Sequence, residues 1–215
     1  MISISLEQVR TLLVVGAHAD DIEIGCGGTM LEIARRRPDI NVRWVVFSGS
    51  GSRATEARQS GSDFLSGFAS SQVQLHEFSD GFFPAEWADI KRTFEKLKKS
   101  IHPDLILTHY GRDLHQDHRL ISELTWNTFR DHLILEYEIP KYDGDLGQPN
   151  HYMPIEDQLG RQKIDLLLKH FPSQAGRPWF DRELFEALMR LRGMECAAPD
   201  RYAEAFYARK ASLTL

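Results

Sequence analysis

Cysteine is nearly missing from this chain: 215 residues carry only two, Cys26 and Cys196. Two thiols make neither a disulfide framework nor a four-cysteine zinc site. A chain of this length needs no such staple, because it buries roughly 70% of the surface its unfolded form exposes. The expectation is a reduced, cytoplasmic protein. Long apolar runs are missing too: stretches such as 12–15 and 44–47 fall far short of the ~18 residues that a membrane span requires. Glu7 and Arg10 precede the first short apolar stretch, which suits neither a signal peptide nor a transit peptide. Charge of one sign is missing as well. Lys and Arg number 26 against 31 Asp and Glu, a net charge of −5. The lone basic triplet, Arg35-Arg36-Arg37, stops at Pro38 and reads as the cationic end of a helix, not as a nucleic-acid stripe.

What remains is an ordinary globular composition, 42% apolar and 27% charged, with nine histidines. Short Val-, Ile- and Leu-rich runs at 11–16, 41–47, 72–78, 105–109 and 133–139 alternate with helical patterns. That alternation predicts an α/β fold, a mainly parallel sheet flanked by helices. Apolar residues at Trp87, Ile90, Phe94, Leu97 and Ile101 keep helical spacing, as do Ile164, Leu167, Leu168 and Phe171, then Leu184, Leu188 and Leu191; all three stripes are expected in the core. The stretch from Tyr142 to Pro154, with two Gly and two Pro, reads as a long loop after the fifth strand, either a lid or a plain connection. The last third is expected as a helical extension of one domain spanning 1–215.

Two acid-histidine clusters carry the chemistry. In VVGAHADDIEIGCGG, residues 14–28, an apolar strand runs into His18, Asp20 and Asp21 and then into glycines that open a helix. Ligands of open parallel sheets bind past such strand ends. Adjacent carboxylates repel, so a cation would relieve Asp20 and Asp21, one ligating while the other faces a bound water. In LILTHYGRDLHQDHR, residues 105–119, a second strand runs into His115 and His118, three apart on one side of a helix start. Asp113 and Asp117 are then available to hold imidazole N–H groups. By chance, H-x-D-D is expected about 0.05 times and H-x-D-H about 0.03 times in a chain of this composition. Helix capping and satisfied loop histidines are the plain alternative.

Two His and one Asp leave an open position on tetrahedral Zn²⁺, the pattern of a catalytic site. Water bound there falls towards a pKa of about 7, and a neighbouring carboxylate can take its proton. The set suits hydrolysis of an amide or ester. A non-haem Fe(II) oxygenase uses the same triad, although a base beside the metal water has no evident place in oxygen activation. A non-catalytic sugar or nucleotide module built on Gly25, Gly27 and Gly28 is weaker, because G-C-G-G lacks the dinucleotide spacing and follows acidic residues.

AHADDIEIGCGG at 17–28 and DLHQDH at 113–118 resemble the motifs of the LmbE-like, or PIG-L, metal-dependent de-N-acetylases. Weaker similarities at Asp80-Gly81, Pro103-Asp104 and YAEAF at 202–206 extend the resemblance over nearly the whole chain. The resemblance implies a Rossmann-like sheet and a zinc site, with Fe²⁺ as an alternative metal, made of His18, Asp21 and His118. It implies Asp20 as general base, His115 as oxyanion or general-acid histidine, and Asp117 as the partner orienting His115. The substrate class implied is a small N-acetylated sugar or sugar conjugate, and some relatives assemble into homo-oligomers. Ala19 stands where the family usually has proline.

Many relatives also place an arginine, with glutamate three residues on, in the helix after the second strand. Arg58 is the candidate here, although Gly61 holds the glutamate's place; Arg112 is a second candidate for substrate contact. Phe82, Phe83, Trp179 and Phe180 offer stacking or packing faces. His76, His102, His109, His132, His151 and His170 are read as structural.

Overall fold

The computed structural model describes residues 4–212. Seven strands form one sheet: β1 (Thr11–His18), β2 (Asn41–Ser48), β3 (Ser70–Leu75), β4 (Leu105–His109), β5 (Leu133–Tyr137), β6 (His151–Ile155) and β7 (Tyr202–Tyr207). Their order is β3-β2-β1-β4-β5-β7-β6, with the first five parallel and β7 antiparallel to both its neighbours. The six helices are α1 (Asp21–Arg36), α2 (Gly51–Phe64), α3 (Trp87–Ser100), α4 (Gln116–Thr128), α5 (Asp157–His170) and α6 (Arg182–Glu195).

The central strands alternate faces as the strand period requires. Leu12, Val14, Val42, Trp44, Leu105 and Leu107 point into one core with α1, α2, α5 and α6. Leu13, Val15, Val45, Phe47 and Ile106 point into a second core with α3 and α4. Helices cover both faces, so the inner strands are apolar on both sides and read as continuous runs.

Sequence order reverses between β1 and β4, which pair directly. Such a switch point opens a crevice beyond the carboxyl ends of the strands. Both acid-histidine clusters lie there, one after β1 and one after β4.

The first two stripes hold apart from Trp87, which is 45% exposed, and Leu168, whereas the third is displaced: α6 buries Phe185 and Met189, and Leu184, Leu188 and Leu191 lie outside the core. Trp87 opens α3 at its first turn, where the chain is still leaving the preceding short 3-10 turn (Phe83–Glu86). The stretch 142–154 is not all loop, because its end is the edge strand β6. Pro154 fits there, since an edge strand has one side with no ladder to complete. The final third is not purely helical either: β7 inserts between β5 and β6.

β7 also repairs a break in α1. Cys26 leaves helical geometry, with φ −145° and ψ 18°. The backbone groups freed there are taken up by a buried ion pair. Lys163 Nζ donates to the Ile24 carbonyl at 2.7 Å and to Glu204 Oε1 at 2.6 Å. Glu204 accepts from the Gly28 and Thr29 N–H groups at 2.8 and 2.6 Å. At Gly25, a Cβ would run into the Tyr137 ring, whose hydroxyl donates to the Val15 carbonyl at 2.7 Å.

Candidate active site

The six motif residues converge. β1 delivers His18 at its last position, and the next turn places Asp20 and Asp21 at the start of α1. His115 caps the N-terminus of α4, its Nδ1 accepting from the Asp117 N–H at 3.2 Å, and Asp117 and His118 occupy the first turn. Asp20 adopts φ +108°, a left-handed value that costs a side-chain-bearing residue energy.

Three candidate ligands from the two clusters come within reach of one another. His18 Nδ1 lies 3.3 Å from Asp21 Oδ2, His118 Nε2 lies 3.5 Å from Asp21 Oδ1, and the two nitrogens are 3.2 Å apart. Ligand atoms ~2.0–2.1 Å from a tetrahedral zinc stand roughly 3.3–3.4 Å from one another. The outer ring nitrogens face carboxylates: His18 Nε2 meets Asp117 Oδ2 at 3.0 Å and His118 Nδ1 meets Asp113 Oδ2 at 3.0 Å. A carboxylate only accepts, which assigns a proton to each outer nitrogen. Were both rings neutral, two lone pairs would face each other across 3.2 Å; against burial, Asp21, Asp117 and Asp80 raise His18 well above its ordinary value, which marks the point as one that favours positive charge. A cation between them removes that conflict, so the donor set fits a zinc or ferrous ion.

Surrounding charges are held in turn. Lys141 donates to Asp113 at 2.8 Å and lies 2.6 Å from Asp145, which accepts from the Leu114 N–H at 2.6 Å. The segment before β6 is therefore pinned to the rim of the site. Burial alone would raise the Asp21 carboxyl, but the imidazoles of His118, His109 and His18 outweigh it and hold the group well below its usual range. Burial pushes Asp20 up to about 7, opposed by Arg53 and reinforced by Asp21. Asp20 Oδ2 has no hydrogen-bond partner among the described residues. Burial, then the neighbouring His118 and His18, lowers His115 below its ordinary value.

Several expectations shift. Asp117, expected beside His115 as its orienting carboxylate, faces His18 instead and also accepts from the Gly81 and Phe83 N–H groups at 2.7 and 3.2 Å. Asp80, on the same loop, reaches His18 Nε2 at 3.1 Å. His109, read as structural, stacks on His118 with ring centroids 4.0 Å apart, and its Nε2 lies 3.2 Å from Asp21. Its position at the end of β4 was the signal.

Arg58 is exposed on α2, in a shallow surface groove with Leu65, Phe68 and Val73, and makes no contact with the cluster. The arginine that reaches the site is Arg53, which donates to the Ala19 carbonyl and, at 3.1 Å, to Asp20 Oδ1. Glu56 stands three residues on, so the arginine-glutamate spacing sought at 58 and 61 is met at 53 and 56. Arg112 is exposed in the loop after β4. No helix of the described residues is long and apolar enough to cross a membrane.

Comparison with known proteins agrees with this geometry. A curated relative, the uncharacterised deacetylase YaiS of Escherichia coli strain K12, is 25% identical over 173 residues, covering 77% of this chain and 93% of that protein. Among solved structures, the N,N'-diacetylchitobiose deacetylase of Pyrococcus horikoshii superposes with a TM-score of 0.70 at 17% identity, covering 94% of this chain and 84% of that one. The 4-carboxy-2-hydroxymuconate hydratase of Pseudomonas putida superposes with a TM-score of 0.74 at 16% identity, covering 96% and 98%. A deacetylase and a hydratase thus share this fold, and the chemistry has to be argued from the site. The model of the GlcNAc-PI de-N-acetylase family matches residues 13–129, more than half of the chain and both clusters, and the protein belongs to that family, PIG-L.

Proposed function

We propose that this protein is a zinc-dependent hydrolase, one domain over 1–215, that removes an acetyl group from an N-acetylated amino sugar or sugar conjugate. The observation that carries the reading is the approach of two imidazole nitrogens, His18 Nδ1 and His118 Nε2, to 3.2 Å, with Asp21 oxygens at ligand spacing from each. His18, Asp21 and His118 would hold the ion. When bound, it supplies Lewis-acid polarisation of the acyl oxygen and a lowered pKa for the attacking water.

Asp20 takes the proton of that water. Burial keeps the carboxyl close to neutral pH, where a base is most effective, and Oδ2 is free to accept. Water oxygen bonds to the acyl carbon as the carbonyl π pair moves onto oxygen, and the His115 ring edge supports that oxyanion. The oxyanion pair then re-forms the carbonyl as the C–N bond pair goes to nitrogen, the amine leaves with the proton that Asp20 took from the water, and acetate remains. Asp117 and Asp113 orient His18 and His118 by accepting from their outer nitrogens.

Replacing Asp20 by Asn should leave the metal in place and cut acetate release about 10²- to 10⁴-fold. Undiminished release would remove Asp20 as the base. His118→Ala should lose zinc by elemental analysis, and a full complement would remove it from the ligand set. Iron in place of zinc in protein purified without added metal would reassign the ion and keep the site.

A further inference from the structure

We propose that Ser173 and Glu56 are positioning residues for Asp20, acting through Arg53. The proposal rests on the reading that Asp20 is the base of the hydrolysis. Ser173 lies in the connection between α5 and α6, more than forty residues beyond the segment that the family model matches and 117 residues from Glu56 in sequence.

Arg53 Nη2 grips two groups at once, the Ala19 carbonyl and Asp20 Oδ1 at 3.1 Å. It thereby spans the peptide whose Asp20 end is held at φ +108°. Asp20 forms no side-chain cap on α1, and the local turn is closed only through its neighbour, Asp21 Oδ2 accepting from the His18 N–H at 2.7 Å. A carboxylate anchored by one oxygen presents the other in a fixed direction, and here Oδ2 is buried and free.

The guanidinium needs its own anchor. It is only partly buried, and its Cζ lies 5.7 Å from the Phe171 ring centroid, a contact that limits rotation without fixing it. Fixation comes from the other end. Arg53 Nη1 donates to Ser173 Oγ at 3.2 Å and lies 3.6 Å from Glu56 Oε2. Glu56 is buried and fully committed to this serine: Oε1 accepts from the Ser173 N–H at 2.9 Å and Oε2 from its hydroxyl at 2.6 Å. The serine hydroxyl thus donates to Glu56 while accepting from Arg53, which fixes its direction. Glu56 also offsets the guanidinium charge, so Arg53 can orient Asp20 without fully neutralising it.

Hydrogen bonds join Glu56 to Ser173, Ser173 to Arg53 and Arg53 to Asp20, with Glu56 facing Arg53 as an ion pair at 3.6 Å, so a C-terminal loop is linked to the base. Losing the orientation of a reacting group by an ångström costs on the order of a hundredfold in rate.

The test combines two readouts on full-length, metal-loaded protein. Nitrogen-15 NMR of the Arg53 side chain should show hindered guanidinium rotation in the wild type, averaged in Glu56→Gln and in Ser173→Ala. Acetate release from N-acetylglucosamine or N,N'-diacetylchitobiose should fall about tenfold to a hundredfold in kcat for Glu56→Gln, with KM within about twofold and zinc content and melting temperature retained. Ser173→Thr, which keeps the hydroxyl, should restore the rate lost in Ser173→Ala. Added guanidinium should partly rescue Arg53→Ala.

A freely rotating Arg53 in the wild type overturns the proposal, as does an effect confined to KM, which would make the group a substrate contact. If the wild type releases acetate from neither probe, the hydrolase reading loses its support, and the NMR arm still decides whether the clamp exists.

Discussion

Asp113 and Asp117 do not touch the proposed ion position, yet they set which nitrogen of each imidazole faces it. Partners of this kind typically account for about 10- to 100-fold in metal affinity. Asp113→Asn and Asp117→Asn should each weaken zinc binding by that factor in competition with a chelator, while retaining stoichiometric zinc at saturation. Unchanged affinity in both would show that the imidazoles need no fixing.

Glu23 is a second buried acid whose consequence can be measured. Neither carboxyl oxygen has a well-formed hydrogen bond among the described residues, and burial, opposed by the nearby Ser60 hydroxyl and reinforced by the charges of Asp20 and Asp21, pushes it from 4.5 up to about 8. The folded protein therefore binds a proton that the unfolded chain releases above pH 4.5, and the associated stability is lost as pH rises through 8. Glu23→Gln should make the melting temperature of metal-free protein less sensitive between pH 5 and 9; an identical pH dependence would contradict the burial argument. At this scale the sequence revealed which residues meet but not how they pair. The His18–Asp117 contact joins positions 99 apart, and no local spacing encodes it. Arg53 was legible as an arginine-glutamate pair at i and i+3, about one and a half helical turns before Arg58 in the same helix.

At the scale of elements, β1, β2, β4 and β5 were legible as compact apolar runs, a consequence of helices covering both faces, whereas the edge strand β3, exposed or half-buried throughout, shows only Val73 and Leu75 alternating with glutamines. β6 and β7 were not legible. β6 contains Pro154 and follows a Gly- and Asn-bearing stretch, and β7 alternates small, charged and aromatic residues after two helices. Their role is nevertheless central to α1, because Glu204 of β7 and Lys163 of α5 take up the backbone groups freed at Cys26. Removing one partner of a buried pair leaves an uncompensated charge, at a cost of about 3–5 kcal/mol. Lys163→Met should destabilise the protein by that amount in urea unfolding, and adding Glu204→Gln should recover part of the loss. Strict additivity of the two variants, or a single variant within about 1 kcal/mol of wild type, would show that the pair does not splice the helix. The glycines around Cys26 were visible in the sequence as a turn. That the turn lies inside one helix, bridged from the far end of the chain, required the fold.

Across the whole molecule, the proposed ion ties the end of β1 to the first turns of α1 and α4, elements that meet only because the sheet reverses order between β1 and β4. An unfolded chain separates His18 from His118 by 100 residues and offers no such site, so zinc should bind the folded state almost alone. Free metal at a hundred times its dissociation constant then adds about 2.7 kcal/mol of stability. At roughly 2–4 °C per kcal/mol for a chain of this size, the melting temperature should rise by about 5–11 °C over the chelator-treated protein and climb with the logarithm of free zinc. The increment should shrink under mildly acidic conditions, because protons compete for the imidazole nitrogens. His118→Ala supplies the control: it should lose most of the increment. A wild type that melts at the same temperature with and without zinc, or a His118→Ala protein with the full shift, would place the metal elsewhere or nowhere. Scanning calorimetry at fixed free zinc distinguishes these outcomes without requiring the substrate to be known.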